Sequence, residues 1–334
     1  MPPTSLGTET EILSGYCIGG TGFGTFSTGI YGRYSNTTMM PSNRFHIVDV
    51  FAPDKYAGNQ LAVFHDSSNI SDHTKQRLAR EMNFSEVTFI ESLEPRDGGY
   101  DVRIFDPIEE LAFAGHPTLG TAHVLRKFIR DDDPDELNLN LDIGQIPVTV
   151  DDGGDEEIYW MEQISPSFDR TFEPDIFVRM LGISRQNINE EYPIQTISTG
   201  LPTVIVPINS INAVRGIQID QDIYYNELIE PFGGHNLLCF TPETATGSND
   251  VHVRVFAEYA DVPEDPATGS SNGCLAAYLV EHGFFDSESI DISAEQGIEM
   301  GRPAKLYLQA ERFEDDISIR VGGAVESVAE GHLL

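Results

Sequence analysis

A short motif occurs twice in this chain, and the repeat constrains the fold more than any other feature of the sequence. HPTLGT begins at His116, and DPATGS begins 149 residues later at Asp265. Each copy consists of a titratable residue, a proline, two further residues, a glycine and a hydroxyl residue. Arg-x-Phe sequences precede the two copies at Arg103 and Arg254, at the same place in a strand-to-helix unit. A repeat at this spacing predicts a duplicated domain.

The hydrophobic periodicity predicts many strands and few helices from residue 45 onward. Alternating runs such as HIVDVF, QLAVF and VHVRVF indicate strands, whereas SDHTKQRLAREMN has helical spacing and begins with the N-cap residue Ser71. Strands and helices do not alternate regularly, so we expect an α+β fold. Pro166 marks the end of the first half, which predicts domains at 44–165 and 166–334.

Residues 1–43 differ in composition from the rest of the chain. About half of them are Gly, Ser or Thr, and Arg33 is the only basic residue. The stretch IGGTGFGTFSTG superficially resembles a dinucleotide-binding loop, but no strand precedes it and no helix follows it. We therefore predict a disordered extension. Its first residues lack the basic region and apolar core of a secretory signal.

The charge balance is strongly acidic, with 54 Asp and Glu against 20 Lys and Arg and a formal net charge of −34. Such a chain is not expected to bind nucleic acid or an anionic membrane surface, because both must be met by basic side chains. Only four of the basic residues are lysines. The acidic side chains of such a lysine-poor surface repel one another until counter-ions screen their charges. We therefore expect a cytoplasmic protein of a salt-loving organism. The alternative is an ordinary acidic protein.

The two motif copies predict two helices that begin with proline at the first helical position. His116 and Asp265 would then lie at or beside the N-caps, and Gly120 and Gly269 would leave room in the first turns for another group to approach. Free backbone N–H groups at such starts suit a carboxylate. The alternatives are an ordinary N-cap carboxylate at Asp265 and a hydrogen-bonded loop histidine at His116. Because the run 267–280 carries no charge, we expect its helix to be buried within a barrel-like sheet.

Several segments resemble the phenazine biosynthesis PhzF family and occur in that family's order. They cover the chain from about residue 46 to the end. The segments are DVFAPDKYAGNQLAVF (49–64), REMNFSEVTF (80–89), ELAFAGHPTLGT (110–121), TGLPTVIVP (199–207), PEDPATGSS (263–271), EQGIEMGRP (295–303) and VGGAV (321–325). The resemblance implies a diaminopimelate epimerase-like fold, with two pseudo-symmetric domains that each wrap a curved mixed sheet around a central helix. It also implies that the last strand, about 319–330, returns to the first domain.

The same resemblance implies a cofactor-independent isomerase that moves a proton on a small carboxylate-bearing substrate in the cleft between the domains. By motif, the catalytic residues are Glu86, His116 and Asp265. The implied substrate-binding residues are Asn59, Gly115, Thr268, Gly269, Ser270 and Gly297. A carboxylate can both remove and return a proton if partial burial raises its pKa, so Glu86 is the predicted general acid and base. The resemblance also suggests a homodimer, and no metal or cofactor is expected.

Other functions remain open at this stage. A non-catalytic homologue that binds a small molecule would keep the cleft without turnover. A racemase with paired thiols is disfavoured, because His116 and Asp265 occupy the places where such an enzyme needs cysteines. Cys239 and Cys274 lie in apolar runs where packing is the expected role. A metal-dependent hydrolase would need a ligand motif that this sequence lacks.

Overall fold

The computed structural model describes residues 44–154, 156–260, 262–314 and 316–334. The predicted extension, 1–43, lies outside the described residues. Seventeen strands are described: β1 (Arg44–Val50), β2 (Asn59–Phe64), β3 (Glu86–Ile90), β4 (Tyr100–Phe105), β5 (Glu110–Leu111), β6 (Glu136–Leu141), β7 (Gly144–Asp151), β8 (Ile158–Glu162), β9 (Ser167–Phe172), β10 (Ile194–Ser198), β11 (Pro202–Pro207), β12 (Asn236–Thr241), β13 (Val251–Ala257), β14 (Val262–Asp265), β15 (Ser289–Gln296), β16 (Ala304–Phe313) and β17 (Asp316–His332).

The α-helices within the described residues are fewer, and several are a single turn. They are α1 (Asp72–Met82), α2 (Gly115–Val124), α3 (Pro174–Leu181), α4 (Ile211–Arg215), α5 (Gln221–Ile223), α6 (Glu230–Phe232) and α7 (Gly269–Glu281). The prediction for α1 is confirmed, since the Ser71 side chain accepts a hydrogen bond from the Thr74 amide. No described helix is long and apolar enough to cross a membrane.

The first group of strands closes around α2. β1 pairs antiparallel with β2, β2 parallel with β3, β3 antiparallel with β4, and β4 parallel with β6. β6, β7 and β8 continue as antiparallel neighbours. The long strand β17 then pairs with both β8 and β1, so the ring of strands is complete. This mixed sheet therefore has a barrel-like closure with a helix inside it.

The second group of strands follows the same order of pairings. β10 pairs antiparallel with β11, β11 parallel with β12, β12 antiparallel with β13, and β13 parallel with β15. β15, β16 and β17 continue antiparallel, and α7 packs against them and against β10 to β12. β17 thus belongs to both groups of strands. The proposed domain boundary at residue 165 stays a prediction.

Both central helices are buried on all sides. In α2 every residue from His116 to Val124 is buried, and in α7 every residue from Gly269 to Val280. The prediction that the uncharged run 267–280 is buried is confirmed, with only Thr268 half-buried. Side chains enclosed by a sheet cannot reach water, which explains why the buried runs 116–124 and 269–280 contain no Asp, Glu, Lys or Arg.

The predicted helix starts are wrong in register. α2 begins at Gly115, so Pro117 is its third residue, where the missing N–H still costs no helical hydrogen bond. α7 begins at Gly269 with Thr268 as N-cap, and Pro266 lies outside the helix. Asp265 is not an N-cap, because it ends β14 and pairs with Val255 of β13. Asp265, which the motif had placed at the start of the helix, is therefore part of the β13–β14 pairing.

Gly120 does not have the predicted role of opening the first turn. It lies in the second turn of α2, where an added Cβ would be 2.6 Å from Leu61 Cδ2 and 2.9 Å from Val50 Cγ2. The absent side chain lets the helix approach β1 and β2 rather than a ligand. The structural counterpart of Gly269 is Gly115, the first residue of the other central helix.

Candidate functional site

The two central helices meet at their first turns. A Cβ built on Gly115 would lie 3.8 Å from Gly269 Cα and 3.7 Å from the Ser270 amide nitrogen. Neither helix start has a side-chain cap. The backbone N–H groups and the partial positive charges of both helices are therefore concentrated at one place, which is suited to an anion. The structure brings together Gly115, Gly269 and Ser270 of the predicted site.

Glu86 and His116 lie side by side near these helix starts. Glu86 is the first residue of β3, and His116 is the second residue of α2. His116 Nε2 is 3.5 Å from Glu86 Oε2, and each of these buried atoms lacks a hydrogen-bond partner among the described residues. The His116 side chain is 6% exposed and that of Glu86 is 19% exposed. Both groups are thus shielded from bulk water, yet each keeps hydrogen-bonding capacity for a third group.

The environment raises the pKa of Glu86 to about 8, first because burial disfavours the carboxylate and then because of the negative charges of Asp265 and Asp106. Burial also lowers the pKa of His116 to about 3, although a contact with the Gln60 main chain acts in the opposite direction. At neutral pH the imidazole is therefore uncharged, and the carboxyl group of Glu86 retains its proton. This pair can donate a proton from the carboxyl group rather than from the ring.

Asp265 is the second carboxyl group of the site. Asn59 Nδ2 donates to Asp265 Oδ1 at 2.9 Å, and the Thr268 hydroxyl donates to Asp265 Oδ2. Burial raises the pKa of Asp265 to about 6, and these two hydrogen bonds reduce the effect of burial. Between about pH 6 and pH 8 the site therefore holds an ionised Asp265 beside a protonated Glu86. Two carboxyl groups with separated pKa values are the usual arrangement for acid and base chemistry.

Gly297 supports the segment that carries Asp265. Its φ is +72°, and an added Cβ would lie 2.6 Å from the Pro266 carbonyl oxygen and 2.4 Å from that of Arg302. Only glycine allows this approach of the main chains. The structure thus places this predicted substrate-binding residue against the Pro266 main chain. The neighbouring Gln296 lies in the family-like segment 295–303 but was not a predicted site residue, and its side chain bonds to the Asp265 carbonyl oxygen and to Thr268.

The described cysteines lie away from this chemistry. Cys274 is buried in α7 and contacts the Thr199 hydroxyl at 3.6 Å. Burial raises the pKa of its thiol and raises that of Cys239 to about 12. Both sulfurs are therefore protonated and are poor nucleophiles or bases at neutral pH. In the described parts of the chain, no group of three or more His, Cys, Asp or Glu side chains is placed to hold a metal ion.

Comparison with known proteins identifies the family of this chain. The sequence model of the phenazine biosynthesis-like protein family, PhzC-PhzF, matches residues 48–331. The chain is 33% identical over 298 residues to a trans-2,3-dihydro-3-hydroxyanthranilate isomerase of Pseudomonas aeruginosa, a match that covers 86% of this chain and 98% of that protein. Its similarity to curated isomerases places the chain in the isomerase class of enzymes.

Solved structures show the same fold. A Bacillus anthracis phenazine biosynthesis protein of the PhzF family superposes with a TM-score of 0.80 at 23% identity, covering 88% of this chain and 100% of that one. A probable proline racemase of Agrobacterium radiobacter superposes with a TM-score of 0.56 at 10% identity, covering 87% and 92%. The mixed sheet with barrel-like closure is thus shared with PhzF proteins and proline racemases. From its match over residues 48–331, this chain belongs to the phenazine biosynthesis-like protein family.

Proposed function

We propose that the chain is a cofactor-independent isomerase in which Glu86 moves a proton between two carbons of a small carboxylate-bearing substrate. The observation that carries this proposal is the Glu86 carboxyl group itself. It is shielded, its Oε2 is without a partner among the described residues, and its pKa is raised to about 8 beside the two helix starts. No described residue forms a hydrogen bond with Glu86 Oε2, and burying a carboxyl oxygen without a hydrogen-bond partner costs free energy.

The helix starts would hold the substrate carboxylate. Gly115, Gly269 and Ser270 place main-chain atoms of both helices within a few ångströms of each other, and neither start is closed by a side-chain cap. An anion bound there interacts with two sets of N–H groups at once.

The proton transfer would use Glu86 in two roles. The protonated carboxyl group donates its proton to one carbon, and the resulting carboxylate removes a proton from another carbon, which restores the enzyme and leaves an isomer of the substrate. His116 is neutral and can offer Nε2 to a polar group of the substrate. Asp265 retains a negative charge that keeps the proton on Glu86 between turnovers.

Solvent exchange in D2O tests the proposal. Trans-2,3-dihydro-3-hydroxyanthranilate, the compound named for the Pseudomonas aeruginosa relative, is the first candidate, followed by other small cyclic and amino-substituted carboxylates. The wild-type protein should introduce deuterium at the reacting carbon. Glu86→Gln should bind the same compound but not catalyse exchange, because an amide side chain neither donates a proton as a general acid nor removes one as a general base.

A matched control is available at Glu136, which also begins a strand but is exposed. Glu136→Gln should exchange at the wild-type rate. If Glu86→Gln exchanges normally, the assignment of the base is wrong. Binding by the wild-type protein without any exchange would instead favour a non-catalytic small-molecule-binding homologue.

We also propose a homodimer, which sedimentation of the purified protein would test.

A further inference from the structure

Within the described residues, the side chain of Gln296 makes hydrogen bonds only to the segment that carries Asp265 and to the start of α7. Its side chain is fully buried at the end of β15. Gln296 Nε2 donates to the Asp265 carbonyl oxygen at 2.7 Å and to Thr268 Oγ1 at 3.2 Å. Gln296 Oε1 accepts from the Thr268 amide at 3.3 Å and from Asn272 Nδ2 at 2.8 Å. One amide group thus joins three residues of the site segment.

The main chain fixes the orientation of this amide group. A backbone carbonyl can only accept, so the atom of Gln296 that faces the Asp265 carbonyl must be Nε2. A backbone N–H can only donate, so the atom that faces the Thr268 amide must be Oε1. Nε2 therefore also faces Thr268 Oγ1, and the hydroxyl oxygen accepts there. The hydroxyl proton is left to point at Asp265 Oδ2, which is the other close contact of that oxygen.

This use of Thr268 is unusual for its position. Thr268 is the N-cap residue of α7, and an N-cap threonine normally accepts a hydrogen bond from the first turn of its helix. Here no such side-chain cap forms. The hydroxyl donates to Asp265 instead, and no side chain among the described residues caps the first N–H groups of α7. In this one orientation the Thr268 hydroxyl donates to the Asp265 carboxylate and leaves the start of α7 without a side-chain cap.

Asn59 repeats the arrangement on the other oxygen of the carboxylate. Its Nδ2 donates to the Ala267 carbonyl oxygen at 3.0 Å, which fixes the amide orientation, and to Asp265 Oδ1 at 2.9 Å. Each oxygen of Asp265 therefore faces a donor that main-chain groups hold in place. The charged groups around Asp265 are Glu264 on its own strand, which is paired with Arg254, and Glu86 on β3.

We propose that Gln296 is a positioning residue that directs the Thr268 hydroxyl proton onto Asp265 and so keeps the Asp265 carboxylate in its two-donor arrangement. This inference rests on the proposed function, because it assigns Gln296 a part in the same site. Asp265 stays ionised because both donors favour the charged form against burial. The negative charge of Asp265 in turn keeps the proton on Glu86. Gln296 thus acts on Glu86 through two intermediate residues without touching it.

Titration of the two carboxyl groups tests this chain of contacts without any substrate. Isotope-labelled Asp and Glu carboxyl carbons are followed by NMR, with Asp265→Asn and Glu86→Gln used to assign the signals. In Thr268→Val and Gln296→Met the midpoint of Asp265 should rise by about one pH unit, since one donor to its charged form is lost or misdirected. The midpoint of Glu86 should fall only slightly, because an Asp265 that titrates near pH 7 is still mostly ionised where Glu86 titrates near pH 8.

Two control variants distinguish a positioning effect from a general destabilisation of α7. Thr268→Ser keeps the hydroxyl group and should therefore have the wild-type midpoints of both Asp265 and Glu86. Ser271→Ala removes a buried hydroxyl from the same helical turn, where it bonds to Thr203 and Asn236 rather than to Asp265. It should lower Tm and leave both midpoints unchanged.

A raised Asp265 midpoint in both Thr268→Val and Gln296→Met, absent from both controls, would establish the role. Unchanged midpoints in Thr268→Val would overturn it, whatever happens to Tm, and this nearly isosteric variant keeps the test decisive if Gln296→Met fails to fold. The outcome is independent of the exchange experiment. The midpoints can move as expected even if Glu86→Gln still catalyses exchange, in which case the proposed function fails and the contact network stands.

Discussion

The raised pKa of Glu86 should make the protein less stable in alkaline solution, and Glu86→Gln should remove that cost. The ordinary pKa of a glutamate is 4.5, and in the folded protein the pKa of Glu86 is about 8. Between these values the folded state binds the proton more tightly than the unfolded chain does. The free energy of unfolding therefore falls as the pH rises from about 4.5 to about 8, and the full loss is present above that range.

The size of the effect follows from the two pKa values. Each unit of pKa is worth about 1.4 kcal/mol, so the linked change amounts to about 5 kcal/mol for a side chain that is only 19% exposed. Glutamine has nearly the same shape and does not ionise. Glu86→Gln should therefore match the wild type near pH 5 and exceed it by several kcal/mol near pH 9.

Urea unfolding at a series of pH values, at one fixed concentration of KCl, measures this difference. The formal net charge of −34 makes both proteins pH-dependent, so the quantity of interest is the wild-type free energy minus that of the variant. Glu136→Gln provides the control, and its difference from wild type should not change with pH. Parallel curves for the wild type and Glu86→Gln from pH 5 to pH 9 would refute the account of Glu86 as a shielded, proton-retaining acid.

Two further predictions concern packing and charge. Gly120→Ala should lower the free energy of unfolding by about 1 to 3 kcal/mol, because its Cβ would meet Leu61 at 2.6 Å. The exposed Gly154, whose nearest neighbour atom is 3.8 Å from an added Cβ, gives the matched Gly154→Ala control, and denaturant unfolding should separate the two. Tm should also rise markedly between ~0.1 M and multimolar KCl, because counter-ions screen the repulsion among acidic side chains. A flat response in a thermal scan would contradict the expectation of a salt-adapted surface.

The order of strands and helices was largely predictable from local patterns. Ser71 marks the start of α1, and the alternating run HIVDVF lies in and just after β1. The exposed edge strand β9 carries no apolar alternation, which is why the sequence did not show it. The helix starts were misplaced because proline does not mark them: α2 begins two residues before Pro117, and α7 begins three residues after Pro266, beyond the pairing of Asp265 with β13.

The candidate site was predictable in its residue types but not in its electrostatics. The motifs singled out Glu86, His116 and Asp265, and the structure places Glu86 beside His116 with Asp265 close enough to influence its pKa. The extent of the pKa shift depends on burial and on charges from distant parts of the chain. Gln296 lies in the segment EQGIEMGRP that resembles the family, but the resemblance assigned a role in that segment to Gly297 rather than to Gln296. Its importance appears only when the main-chain groups that orient its amide are known.

The ionisation order of the two carboxyl groups also determines the order of steps under the proposed function. Near neutral pH the site holds one proton on Glu86 and one negative charge on Asp265. A substrate carboxylate that binds at the helix starts adds a second negative charge, which raises the pKa of Glu86 further. Glu86 therefore remains protonated in the complex, and it must act as an acid before it can act as a base. Proton donation to the substrate thus precedes proton removal, and deuterium from D2O should appear at the first carbon even in a substrate analogue that lacks the second removable proton.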